Sequence, residues 1–154
     1  MRPPFARGAR RRRGFSLLEM LAVMAIVALL AGMAGQFTRR PSPRLRVESA
    51  MRSLCVALRT TRMRAISMAS EQALTIDLHR KAFFSPAIAT TALPGDARIE
   101  FSVSERERSG PSRGAISFFP DGGSSGGVVS IGLSGARAEI AVNWLTGATR
   151  CVLH

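Results

Sequence analysis

The residues best suited to chemistry lie in "RRRGFSLLEMLAVMAIVALLAG", where arginines run up to Gly14, Phe15 opens an apolar run and Glu19 sits inside it. A carboxylate in a segment otherwise fit for lipid costs roughly 2.5–3.5 kcal/mol on insertion scales. Such a group needs an opposite charge nearby. A cut between Gly14 and Phe15 would supply one, because it exposes a new α-amino group four residues before Glu19. The two charges could meet one turn apart in one helix, or between neighbouring copies, where the pair would set the axial stagger of a bundle. The chemistry asked of this segment is done to the chain, not by it.

Elsewhere reactive side chains are few and scattered. Cys55 and Cys151 are the two cysteines, and their spacing fits no zinc site. An oxidising compartment would allow one disulfide between them; the simpler reading is two small buried apolar residues. His79 falls in "LHRK", which reads as a hairpin turn, and His154 is the final residue. Neither has acids or cysteines at ligand spacing. Asp77, Asp96 and Asp121 belong to separate strands or turns, and Asp121 before Gly122 has the ordinary turn explanation of bonding its own following backbone. "FFPDGGSSGG" lacks the Lys and Ser/Thr of a phosphate loop and no helix follows it. No acid-rich loop offers the six or more oxygens that calcium takes. No catalytic residue, metal site, cofactor or small-molecule substrate is therefore expected, and the chain does not read as an enzyme.

The elements that must position Gly14, Phe15 and Glu19 divide the chain of 154 residues into four parts. Residues 1–14 form a basic leader with six arginines and no acid. Residues 15–38 carry Glu19 as their sole charge and, as a helix, would span about 36 Å, enough for a hydrocarbon core of ~30 Å. Residues 39–72 read as a kinked linker and an amphipathic helix. Pro41 and Pro43 break or kink the backbone, and Ser42 or Ser49 could cap a restart. Val47, Met51, Leu54, Leu58, Ala65 and Ala69 then recur at helical spacing over about 25 residues, with Thr61 interrupting the stripe. Residues 73–154 alternate as strands do. "ALTIDL", "AFF", "ARIEFSVSE", "AISFF", "VVSIGL", "AEIAVNWL" and "ATRCVL" give six or seven short strands, with Ile99, Phe101 and Val103 on one face and glycine in the turns. One long helix followed by antiparallel strands is an α+β arrangement.

The net charge of +12 is unevenly spread. Residues 39–64 hold eight arginines against Glu48, whereas residues 65–154 hold eight basic and eight acidic side chains. Basic residues flanking an apolar helix usually meet anionic headgroups, and the folded part is neutral. A DNA-binding face would more often be a stripe on that part, so nucleic acid is not the expected partner. Arg59, Arg62 and Arg64, among the arginines of residues 44–64, would carry that alternative.

Three fates compete for the N-terminal segment. Arg12 and Arg13 resemble a twin-arginine export signal, which would be discarded with Glu19; a plain anchor has no use for the acid either. A processed anchor does. Here "RGFSLLEMLAVMAIVALLA" resembles the prepilin leader and anchor of type IV pilins and type II secretion pseudopilins, matching at Gly14, Phe15 and Glu19. The resemblance implies cleavage after Gly14 by a prepilin peptidase, N-methylation of Phe15 by the same enzyme, and contact of Glu19 with the N-terminal amine of an adjacent subunit. It also implies a pilin-like fold.

A second resemblance covers the strand-rich end. "ISFFPDGGSSGGVVSIGL…AEIAVNWLTGATR" is similar to the C-terminal domain of H-type minor pseudopilins, in which an F-x-P-D-G segment and a late x-T-G-x turn recur. That family implies a non-enzymatic subunit near the tip of a short periplasmic filament in type II protein secretion. Its partners would be other major and minor pseudopilins, and it would be held by one span in the bacterial inner membrane. The alternative within the same resemblance is a minor type IV pilin in pilus assembly or DNA uptake.

Overall fold

The computed structural model describes residues 16–34 and 41–154. The leader, Gly14 and Phe15 lie outside the described residues. The chain divides into two units, one ending at Arg40 and one spanning Pro41–His154.

The first unit is helix α1, Leu17–Ala34. Leucine, methionine and alanine, all strong helix formers, make up most of it. Ser16 starts it: the Ser16 hydroxyl accepts the Leu18 amide at 3.3 Å, and the Ser16 carbonyl accepts the amides of Glu19 and Met20. No helix among the described residues is long and apolar enough to cross a membrane. The 18 residues of α1 reach about 27 Å, against a hydrocarbon core of ~30 Å. The expected span over 15–38 includes residues beyond both ends of α1.

The second unit opens with helix α2, Pro43–Ser67. Proline at the first helical position forgoes only an amide that has no partner there. Ser42, of the two serines considered, is the cap, accepting the Leu45 amide at 3.3 Å. The helix ends in a paired turn in which the Ser70 amide reaches the Ala65 carbonyl and the Ala69 amide reaches that of Ile66. This turn places Ala69 at φ 46° and turns it outward, so it does not continue the buried stripe as its spacing suggested. Thr61 corrects the reading in the other direction. It is fully buried, and its hydroxyl bonds the Ala57 carbonyl at 2.9 Å and the Ser85 hydroxyl at 3.2 Å. A threonine can sit in the apolar stripe because the preceding turn satisfies its oxygen.

Eight antiparallel strands follow. β1 (Gln72–Asp77), β2 (Ala82–Ser85), β3 (Ile88–Ala92) and β5 (Arg113–Phe118) form one sheet in the order β3-β2-β1-β5. β4 (Arg98–Ser102), β6 (Gly127–Leu133), β7 (Ala136–Val142) and β8 (Thr149–Leu153) form the other in the order β4-β6-β7-β8. The sequence suggested six or seven. The strand it missed is β3, "IATTA", whose small polar residues are mostly half or fully exposed and hide the alternation. "AEIAVNWL" also stops earlier than its letters suggest, at Val142, because the Asn143 side chain accepts the amides of Leu145 and Thr146 and folds them into a turn.

α2 packs on β6, β7 and β8 of one sheet and on β1, β3 and β5 of the other. Its face of Val47, Ala50, Leu54, Cys55, Ala57, Leu58, Thr61 and Ala65 is buried against Leu74, Ile76, Phe83, Ile116, Phe118, Ile131 and Ile140. The two sheets also meet where the Phe101 ring of β4 covers Gly114 of β5, with no room for a side chain at Gly114.

Candidate functional site

Glu19 lies in the first turn of α1, exposed, three residues after the capping Ser16. Ser16-Leu17-Leu18-Glu19 has the S-x-x-E spacing of a capping box, a signal present in the sequence that marks Ser16 as part of this site. The position also suits an acid through the helix dipole, whose positive end lies in the first turn. Around Glu19 the helix is apolar in every direction: Leu17, Leu18, Met20, Leu21, Met24, Val27 and Leu29 are all more than half exposed. A helix with no polar face requires lipid or other helices around it.

The arginines of α2 do not act as a set. Arg46 forms a two-pronged pair with Asp96, at 2.8 and 2.6 Å, and holds the Asp96 carboxyl below the usual carboxylate range. Arg52 pairs with Glu48 one turn earlier at 2.6 Å. Arg62 donates from Nε to the Gly122 carbonyl at 3.0 Å. Arg44, Arg59 and Arg64 are exposed; at about 100° per residue Arg44 and Arg59 lie on one side of the helix, about 60° apart, and Arg64 lies on another.

Arg62 leads to a second cluster. The segments "FPDGG" and "LTG", well apart in sequence, lie against each other and against Arg62. A side chain on Gly147, whose φ is +62°, would run into the Gly122 carbonyl and the Arg62 side chain. A side chain on Gly122 (φ +87°) would meet Arg62 and Ile66. The Ser124 amide donates to the Trp144 carbonyl at 2.9 Å, and its hydroxyl donates to the Asn143 carbonyl at 3.0 Å. Asp121 accepts the Gly123 amide at 2.9 Å, the turn role expected for it. Trp144 and Leu145 stand on this framework at 68% and 67% exposure.

The remaining candidates fall in separate places. The structure joins Cys55 of α2 to Cys151 of β8 in a disulfide, with Cα atoms 6.7 Å apart. This replaces the simpler reading of two unpaired buried residues; spacing alone carries no information on whether a helix and a strand bring two thiols together. His79 sits exposed in the β1–β2 turn and His154 is exposed after β8. Asp77 is 3% exposed; it accepts the amides of His79 and Arg80 and pairs with Arg113 at 2.8 Å. The Arg80 amide first, and Arg113 second, lower its pKa to about 2. It is a turn-holding carboxylate, engaged with partners of its own. Among the described residues no three His, Cys, Asp or Glu side chains converge as a metal site.

Comparison with known proteins bears on both ends of the chain. Residues 9–35 match the prokaryotic N-terminal methylation motif. The type II secretion system protein H of Xanthomonas campestris pv. campestris is 34% identical over 141 residues, covering 92% of this chain and 83% of that one. The solved structure of the minor pseudopilin EpsH from the type 2 secretion system of Vibrio cholerae superposes with a TM-score of 0.55 at 13% identity. It covers 70% of this chain and 96% of that one, and at that identity it shows the fold: a pilin-like α+β fold of helix followed by antiparallel sheets. With the methylation motif, the shared fold and a full-length relative in hand, the chain belongs to the type II secretion system protein H family, the H-type minor pseudopilins.

Proposed function

We propose that the chain is cut after Gly14 by a prepilin peptidase, methylated on the Phe15 amine, and built into a periplasmic pseudopilus near its tip as a non-enzymatic subunit. Glu19 then meets the N-terminal amine of an adjacent subunit. The observation that carries this reading is Glu19 itself: the one charged residue of α1, set among side chains that are apolar and exposed on every side. Packing α1 among other such helices removes that surface from water, and a lone acid there needs a cation. The disulfide supports a periplasmic location for the second unit, because such bonds persist in oxidising compartments. Single-span anchoring in the bacterial inner membrane completes the reading, with other pseudopilins and the peptidase as partners.

One depression of about 820 Å³ is open and lined by Gly132 and the Ser134–Gly135 turn, and its Arg98 and Glu100 are paired with each other at 2.7 Å. The reading as a DNA-binding pilin loses ground because Arg46 and Arg52 are paired with carboxylates within the domain.

Glu19→Ala tests the proposal. The variant is expected to fold, insert and be processed as the parent does, yet fail to enter filaments when co-expressed with the other pseudopilins. Normal incorporation would refute the role assigned to Glu19. Mass spectrometry of the native N-terminus should show N-methyl-Phe15; a chain still beginning at Met1 would overturn the whole reading.

A further inference from the structure

The paired loops at the end of α2 are built at some cost. Residues 119–126 and 143–148 are tied by Ser124 to the carbonyls of Asn143 and Trp144, by Asn143 to the amides of Leu145 and Thr146, and by Arg62 to Gly122. Gly122, Gly123, Gly126 and Gly147 are buried between them, and Gly126 lies directly under the Trp144 backbone. A loop so tied has little freedom left to lose. It nonetheless turns outward the chain's single tryptophan and a leucine, each about two-thirds exposed. Large apolar side chains held rigidly in water are the usual anchors of protein contacts, because their ordering has been completed before binding.

Charge selects the partner. The Arg62 guanidinium borders the loops on the α2 side, and Arg150 lines a depression of about 470 Å³ together with Trp144, Asn143 and Thr149. Neither arginine is in an ion pair among the described residues. Two acids lie nearby: Asp121, held by the Gly123 amide, and Glu139, which shares a second depression with Arg150 on the side away from Trp144. An apolar anchor with cationic borders complements an apolar side chain flanked by carboxylates.

We propose that Trp144 and Leu145, on the platform locked by Arg62, Gly122 and Gly147, dock an acidic–apolar surface on the periplasmic domain of a different pseudopilin. The identity of that partner rests on the filament reading above; the existence of the docking surface does not.

The test uses the full chain, expressed with the other pseudopilins of its own secretion system, with a photo-crosslinking phenylalanine analogue at position 145 and, as control, at Arg80. Crosslinking at 145 to another pseudopilin, with the Arg80 control silent, is the expected result. Trp144→Ala should lower the yield roughly tenfold or more while the melting temperature stays unchanged, and Arg150→Glu should lower it further than Arg150→Gln. A product at 145 made only with phospholipid, only with nucleic acid or only with a second copy of the chain would overturn the proposal, as would no product from a correctly processed, incorporated chain. The N-terminal mass is read on the same sample. A retained Met1 beside a protein crosslink would end the filament reading and leave the surface standing, whereas N-methyl-Phe15 without a crosslink would do the reverse.

Discussion

Asp77 shows how one buried carboxylate contributes to the acid stability of the domain. Its pKa falls from an ordinary 3.8 to about 2 in the folded state. A group whose folded pKa is depressed stabilises the fold fully above its unfolded value and loses that contribution as pH falls through the folded one. Stability should therefore decline between about pH 4 and pH 2. Asp77→Asn should be less stable than the parent at neutral pH and show a flatter profile over that window; urea titrations at several pH values measure both. Ala69 and Ser134 make the opposite case. Both hold φ near +47° without being glycine, a conformation that costs an L-residue about 1 kcal/mol. Ala69→Gly at the end of α2, and Ser134→Gly in the two-residue turn between β6 and β7, should each raise stability by about 0.5–1 kcal/mol, seen as a melting temperature a few degrees higher.

Among elements, the sequence was most readable where one period ran without interruption. The α2 stripe, the break at Pro43 and the strands of the second sheet follow from spacing alone. Three things did not. β3 has too few large side chains to show its alternation, and Thr61 looked polar until the Ala57 carbonyl explained it. The meeting of "FPDGG" and "LTG" depends on the order β6-β7-β8, which local pattern cannot give. That meeting makes Gly147→Ala a strong test: the added methyl collides with the Gly122 carbonyl in a left-handed backbone. The substitution should destabilise the domain by on the order of 2 kcal/mol, and fluorescence of the single tryptophan, Trp144, should report the loosened loop. Of the candidate site, Glu19 was legible because an acid in an apolar run has no bland explanation. Ser16 carries an equally local signal in its S-x-x-E spacing to Glu19.

For the molecule as a whole, the division at Arg40 separates two kinds of stability. The second unit buries its own core and ties it with a disulfide across 96 residues. Cys55→Ser with Cys151→Ser should lower unfolding free energy by about 2–5 kcal/mol and leave the fold intact in native buffer; loss of the fold would show that the bond is a precondition for it. The first unit has no core of its own among the described residues, since α1 is exposed along its length. Its order depends on company, which the filament proposed above would supply.

The same cysteine bridge carries a consequence for how the domain is made. Cys55 emerges early and Cys151 late, with all eight strands begun in between. Until β7 and β8 arrive, the inner face of α2 lacks about half of its cover, so Val47, Leu54 and Leu58 stay available to wrong partners. Maturation is thus ordered by translation itself: the helix that is synthesised first must wait longest, and any delay in delivering the final strand prolongs the interval in which the half-made protein can aggregate.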